Sequence, residues 1–175
     1  MSLPTAARML VAALLVTAAV LGVGVLAGTI RAPDGSDGPP SGAGTVPPAE
    51  VAAAAVLEGW DAARADAWAA GDLRSLGALY TPGSTAGRRD RQMLGEWLER
   101  GLVVRGLRTQ VLAVHELRRS SRTWVIRVTD RVAAGSAVGR GVARPLPQDS
   151  ATTTVVTLRR DSGRWLVDSV AGVRS

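Results

Sequence analysis

Hydrophobic and polar positions divide the chain into three regimes. Residues 9–30 read MLVAALLVTAAVLGVGVLAGTI, an uncharged run bracketed by Arg8 and Arg31. At about 1.5 Å of rise per residue, such a run crosses a ~30 Å hydrocarbon core, and it predicts a transmembrane helix behind a short cytoplasmic N-terminus, residues 1–8. Residues 31–48 change to Pro, Gly, Ser and Asp with almost nothing to bury. A segment of that kind cannot offset its own ordering entropy and is predicted as a linker. Residues 49–175 carry the periodic patterns of a folded domain.

From Ala49 to about Ala70, Val56, Leu57, Trp60, Ala63, Ala67 and Trp68 recur at three- and four-residue steps, which predicts a helix with one apolar stripe. Glu58, Asp61 and Asp66 are expected mostly away from that stripe. Gly71 is placed to stop the helix, and Asp72 to cap a second one over Leu73 to Tyr80. Thr81-Pro82-Gly83-Ser84 breaks the chain, and a third helix is predicted from about Arg88 to Arg100. The period then changes to two. Strands are expected over Arg108 to Arg118, Trp124 to Val132, Thr152 to Arg160 and Trp165 to Val173. A hairpin turn at Ser120-Ser121 would set Leu117 against Trp124, His115 against Ile126 and Val111 against Asp130. The glycines at Gly135, Gly139 and Gly141, leading to Pro145-Leu146-Pro147, read as a long loose connection. Three helices followed by an antiparallel meander is an α+β plan.

Composition narrows the chemistry. Cysteine is absent and His115 is the single histidine, so neither disulfides nor a conventional zinc site is expected. No metal and no cofactor is called for. All 21 basic residues are Arg, set against 15 acids for a net charge of +6. Arg88, Arg89, Arg91, Arg118, Arg119 and Arg122 offer an anionic partner a surface. Nucleic acid is disfavoured, because no stacking aromatics are interleaved among them.

The stretch Ala67-Trp68-Ala69-Ala70-Gly71-Asp72-Leu73, with Leu79-Tyr80 after it and Gly163-Arg164-Trp165 near the end, resembles the nuclear transport factor 2-like superfamily and its SnoaL-like branch. Trp68, Gly71, Asp72 and Leu76 match that superfamily's Trp-x-x-Gly-Asp-x-x-x-Leu pattern, and the resemblance covers about residues 50–173. The resemblance implies a cone-shaped α+β barrel, often with a pocket inside. It implies membrane-anchored bacterial relatives, and enzymatic ones that use Asp, Tyr and His groups within the cone. Tyr80, His115 and Asp130 are the candidate pocket residues. His115 and Asp130 both fall in phase with apolar neighbours, yet lie four positions apart along the ladder, about 13–14 Å, too far to share a proton. Tyr80 is expected to pack at a helix end with its hydroxyl wet.

These readings point to a tethered, non-catalytic accessory domain at the outer face of the cell membrane. Its partners would be the bilayer through residues 9–30 and a protein or small apolar ligand, with a homodimer through the sheet as a further option. The alternative is a small SnoaL-like isomerase, dehydratase or cyclase acting on an apolar substrate. A cleaved signal peptide ending at Val25-Leu26-Ala27 competes with the anchor. Orientation rests on the positive-inside bias of the N-terminal side. Intact mass of the membrane-extracted protein is expected to include residues 1–30, and a mature chain beginning near Gly28 would rule the anchor out.

Overall fold

The computed structural model describes residues 47–147 and 150–173, and the predicted transmembrane helix and most of the linker lie outside them. Among the described residues no helix is long and apolar enough to cross a membrane. Three helices come first: α1 (Pro48–Ala70), α2 (Leu73–Gly77) and α3 (Thr85–Glu99). Five strands follow: β1 (Val103–Arg119), β2 (Thr123–Gly139), β3 (Val142–Pro145), β4 (Thr152–Asp161) and β5 (Arg164–Gly172). They form one antiparallel sheet in the order β1-β2-β4-β5, with β3 paired to the end of β2.

Local chemistry sets the helix ends. Gly71 adopts the left-handed conformation (φ 69°) and its N–H bonds to the Ala67 carbonyl, so α1 stops there. The Asp72 carboxylate accepts from the Arg74 and Ser75 amides at 2.9 and 3.0 Å, starting α2. Ser84 accepts from the Gly87 amide and opens α3 three residues earlier than the apolar pattern alone implies. The second helix is shorter than expected. Tyr80 leaves helical geometry and bridges Val167 of β5, with Thr81 N–H donating to the Val167 carbonyl at 3.0 Å and Val167 N–H to the Leu79 carbonyl at 3.0 Å.

The sheet departs from the sequence reading in two places. The Ala/Gly stretch after Val132 is not a loose connection. It continues β2 to Gly139, turns through Arg140-Gly141 and returns as β3, with Leu146 N–H closing on the Gly135 carbonyl at 2.8 Å. Small side chains there permit the backbones to approach closely. A Cβ on Gly139 would run into the carbonyl oxygen of Gly101. The first strand is also longer than expected and bulged, with register shifts between Arg105 and Arg108, Arg108 and Thr109, Val111 and Ala113, and Glu116 and Arg118. Bulges bend a strand and add twist. The sheet therefore curls around the helices instead of lying flat.

The core is built from Leu57, Trp60, Trp68, Leu76, Leu94 and Trp97 of the helices and Trp124, Ile126, Val128, Val156, Leu158 and Val167 of the sheet. Within it lies an ion pair. Asp90 of α3 is 1% exposed and Arg64 of α1 is 3% exposed. Arg64 Nε donates to Asp90 Oδ2 at 2.7 Å and Arg64 Nη2 to Oδ1 at 2.6 Å. Trp68 Nε1 donates to Oδ1 at 3.2 Å and Tyr80 Oη–H to Oδ2 at 2.7 Å. Breaking a buried pair by deleting one partner strands the other charge, at about 3–5 kcal/mol. Asp90→Ala is expected to lower the unfolding free energy in urea by about that amount, and Tyr80→Phe by about 1–3 kcal/mol. An Asp90→Ala loss below about 1 kcal/mol would show that the pair does not organise the helices.

Candidate functional site

The three candidate residues do not converge. Tyr80 is buried, and its hydroxyl is not wet but spent on Asp90 at 2.7 Å. Burial, followed by the neighbouring Asp90 carboxylate, pushes its phenol well above the usual range, so it stays protonated at neutral pH with that proton committed to Asp90. Its ring meets Trp60 edge-on, with centroids 5.5 Å apart. Gly87 makes room for that ring. A Cβ at Gly87 would sit 2.6 Å from Tyr80 Cγ.

His115 points outward, contrary to the sequence reading. The register shift between Val111 and Ala113 inserts one residue into β1, so His115 faces Arg127 and Glu116 takes the place opposite Ile126. A single-residue slip exchanges the two faces of a strand. The His115 side chain is 58% exposed and its Nδ1 lies 3.2 Å from Glu50 Oε1 at the start of α1. Glu116, turned inward, accepts from Trp124 Nε1 at 2.7 Å.

Asp130 does lie inside, opposite Val111 as expected and 2% exposed. Thr152 Oγ1 reaches its Oδ1 at 3.5 Å, while Oδ2 is buried without a hydrogen-bond partner among the described residues. Burial first, and the Asp61 carboxylate second, push the Asp130 carboxyl up to about 7. Asp61 is itself buried on α1.

Sequence reasoning missed Asp61, Arg64 and Asp90. The signal was present. Arg64 is in helical phase with Leu57, Trp60 and Trp68, and Asp90 with Ala86, Leu94 and Trp97. A charge in phase with an apolar stripe announces a buried partner elsewhere. In Arg64, burial opposes the charge, but Asp90 outweighs it and holds the guanidinium more firmly protonated than usual.

A pocket of about 360 Å³ opens between the α2–α3 connection and the β4–β5 turn, lined by Tyr80, Pro82, Arg88, Arg91, Asp161 and Leu166 among others. Neither His115 nor Asp130 reaches it. Among the described residues no group of three or more His, Cys, Asp or Glu is arranged to hold a metal ion.

No protein-family model matches this chain, and no curated protein does. Among solved structures, the intermembrane space region of the chloroplast protein ARC6 superposes with a TM-score of 0.53 at 13% identity, covering 72% of this chain and 97% of that one. A candidate dehydratase from the NTF2-like family of Streptomyces avermitilis gives 0.45 at 14% identity, over 74% of this chain and 100% of that one. Aln2 from a Streptomyces species gives 0.48 at 14% identity, over 74% and 94%. The likeness to the ARC6 region is one of overall fold alone.

Asp130 supplies a test by titration. Its folded-state pKa lies above the unfolded value of 3.8, so the folded protein holds the proton more tightly between about pH 4 and 7. Stability from this group is fully present below the lower value and is lost as pH rises through the upper one. Asp130→Asn is therefore expected to gain on the wild type as pH rises from 4 to 8, by about 2–4 kcal/mol at the upper end. Parallel urea curves for the two proteins across that range would refute the raised carboxyl.

Proposed function

We propose that the chain is a membrane-tethered accessory domain that binds a partner at the outer face of the cell membrane and catalyses no reaction of its own. One observation carries this reading: the groups best able to do chemistry point in three directions. The Tyr80 hydroxyl is fixed on Asp90, His115 stands outside on Glu50, and Asp130 is sealed at 2% exposure. Acid–base catalysis needs a base and a donor within hydrogen-bond reach of one substrate atom. The uncharged run at residues 9–30 and the Pro/Gly-rich segment after it supply the tether.

A second reading, a small enzyme of the isomerase, dehydratase or cyclase type, draws on Asp130 alone. A carboxyl lifted to about 7 in an apolar interior has the proton affinity of a general base. It has no opposed donor from Tyr80 or His115, and a substrate would have to part α1 from the sheet to reach it.

The two readings separate in a cell lacking the gene. Full-length Asp130→Asn is expected to restore the lost phenotype as well as the wild type does, and a chain without residues 9–30 to fail although the domain accumulates folded. The opposite pattern, rescue by the untethered domain and none by Asp130→Asn, would establish the enzyme.

A further inference from the structure

The two hairpin tips of the curled sheet come together and carry six of the twelve exposed arginines among the described residues of the sheet and its turns. The β1–β2 tip holds Arg118, Arg119 and Arg122, and the β4–β5 tip holds Arg159, Arg160 and Arg164. All six are exposed. Pairing of Thr123 with Arg159, and a hydrogen bond from Arg160 N–H to the Arg122 carbonyl at 2.9 Å, lock the tips side by side. Few acids offset them. Glu116 is engaged by the Trp124 indole, and Asp161 sits in the β4–β5 turn with the Ser162 hydroxyl at 3.3 Å. Asp168 accepts from Thr81 and pairs with Arg159 at 3.4 Å.

Two guanidinium groups stand over the tip aromatics, Arg119 with its Cζ 4.0 Å from the Trp124 ring centre and Arg160 5.9 Å from that of Trp165. That placement holds the charge outward while the indoles stay covered. Bases therefore find no free ring to stack on, which argues against single-stranded nucleic acid. An exposed aliphatic group stands beside the charge instead, Leu117 at 44% on β1, with Val51 at 57% farther back near the start of α1. Arginine next to exposed aliphatic side chains is the composition of a surface that rests on lipid headgroups.

The tether enters at this same end. Glu50, in the first turn of α1, contacts His115, which precedes the β1–β2 tip by four residues, about 13 Å of strand. A Pro/Gly-rich coil the length of residues 31–47 has a root-mean-square reach of roughly 20–25 Å. The basic end would thus be held within a domain's width of the bilayer, at high effective concentration.

We propose that the paired β1–β2 and β4–β5 tips dock on a bilayer surface bearing anionic phospholipid headgroups. This deepens the tethered reading and rests on it for geometry. The cysteine-free chain allows a single donor dye at Ser121→Cys on the basic end or at Ala143→Cys on β3, at the opposite end of β2. Full-length protein is reconstituted in vesicles of phosphatidylcholine alone or with one third phosphatidylglycerol, with acceptor-labelled headgroups. Transfer from Ser121→Cys is expected to exceed that from Ala143→Cys only where phosphatidylglycerol is present, and to fall in high salt. Arg118→Glu/Arg122→Glu/Arg164→Glu spares Arg119 and Arg160 and is expected to reduce the docked-to-free ratio by at least roughly 100-fold, at about fivefold for each arginine lost before the repulsion of the added glutamates. Its circular dichroism and unfolding midpoint should match the wild type, so that a folding defect is not mistaken for lost docking. Equal transfer from the two dye sites, indifference to phosphatidylglycerol, or a triple variant that docks normally overturns the proposal. Binding of an oligonucleotide at the tips in place of these vesicles overturns it too. Should the purified chain begin near Gly28, the tether is wrong but docking is still tested. Salt-sensitive co-flotation with phosphatidylglycerol vesicles, lost in the triple variant, supports it, and no flotation refutes it.

Discussion

A carboxylate buried at 1% exposure must be compensated on the spot, and Asp90 is compensated by three residues from two directions. Arg64 and Trp68, four residues apart on α1, present adjacent donors, while Tyr80 closes from the α2–α3 connection. Any other packing of α1 on α3 would leave a bare charge in the interior, at a cost of several kcal/mol. Apolar side chains alone would tolerate many neighbouring arrangements of the helices. The pair removes that freedom. Through Tyr80 the constraint passes to the sheet, because the same residue bridges Val167 and positions the Leu79 carbonyl that accepts from Trp60 Nε1 at 3.1 Å.

The interior thus holds two acids in opposite conditions. Asp90 has four donors on its two oxygens, and Asp130 has one long contact from Thr152 and the Asp61 carboxylate nearby. An uncompensated carboxyl in such a place avoids the cost of its charge by keeping its proton. Around neutral pH Asp130 is accordingly divided between its two forms. A strained group of this kind marks a catalytic centre when a donor opposes it and substrate can enter. Here neither Tyr80 nor His115 opposes it, and the carboxyl is 2% exposed.

Much of the architecture was legible. Gly71 and Asp72 announced a helix end and a helix start, and the two-residue period of Trp124, Ile126, Val128, Asp130 and Val132 identified the inward face of β2. What escaped were features set by tertiary contact. The bulge between Val111 and Ala113 carries no strong sequence signature, yet it turns His115 outward and Glu116 inward. Gly135 and Gly139 read as slack because small residues are scarce in strands, whereas here close backbone approach requires them. Arg64 and Asp90 drew no reading from the sequence, because each is ordinary alone. Only the meeting of two helices 26 residues apart in sequence makes them a pair.

A tether and a charged face act differently when they share an end of the domain. Anchoring alone confines the domain near the bilayer but leaves it free to rotate, so any surface faces the lipid equally. Charge alone, on six exposed arginines, gives binding that physiological salt weakens. With the attachment point about 13 Å of strand from the β1–β2 tip, a tether of the proposed kind would bring the arginines toward the headgroups before any attraction acts. A weak electrostatic preference is then enough to choose the orientation. In the proposed arrangement the far end, with β3 and the Gly101–Gly139 contact, is the one turned to solvent. On that proposal, tether and basic tips act as parts of one arrangement, without requiring any group to be catalytic.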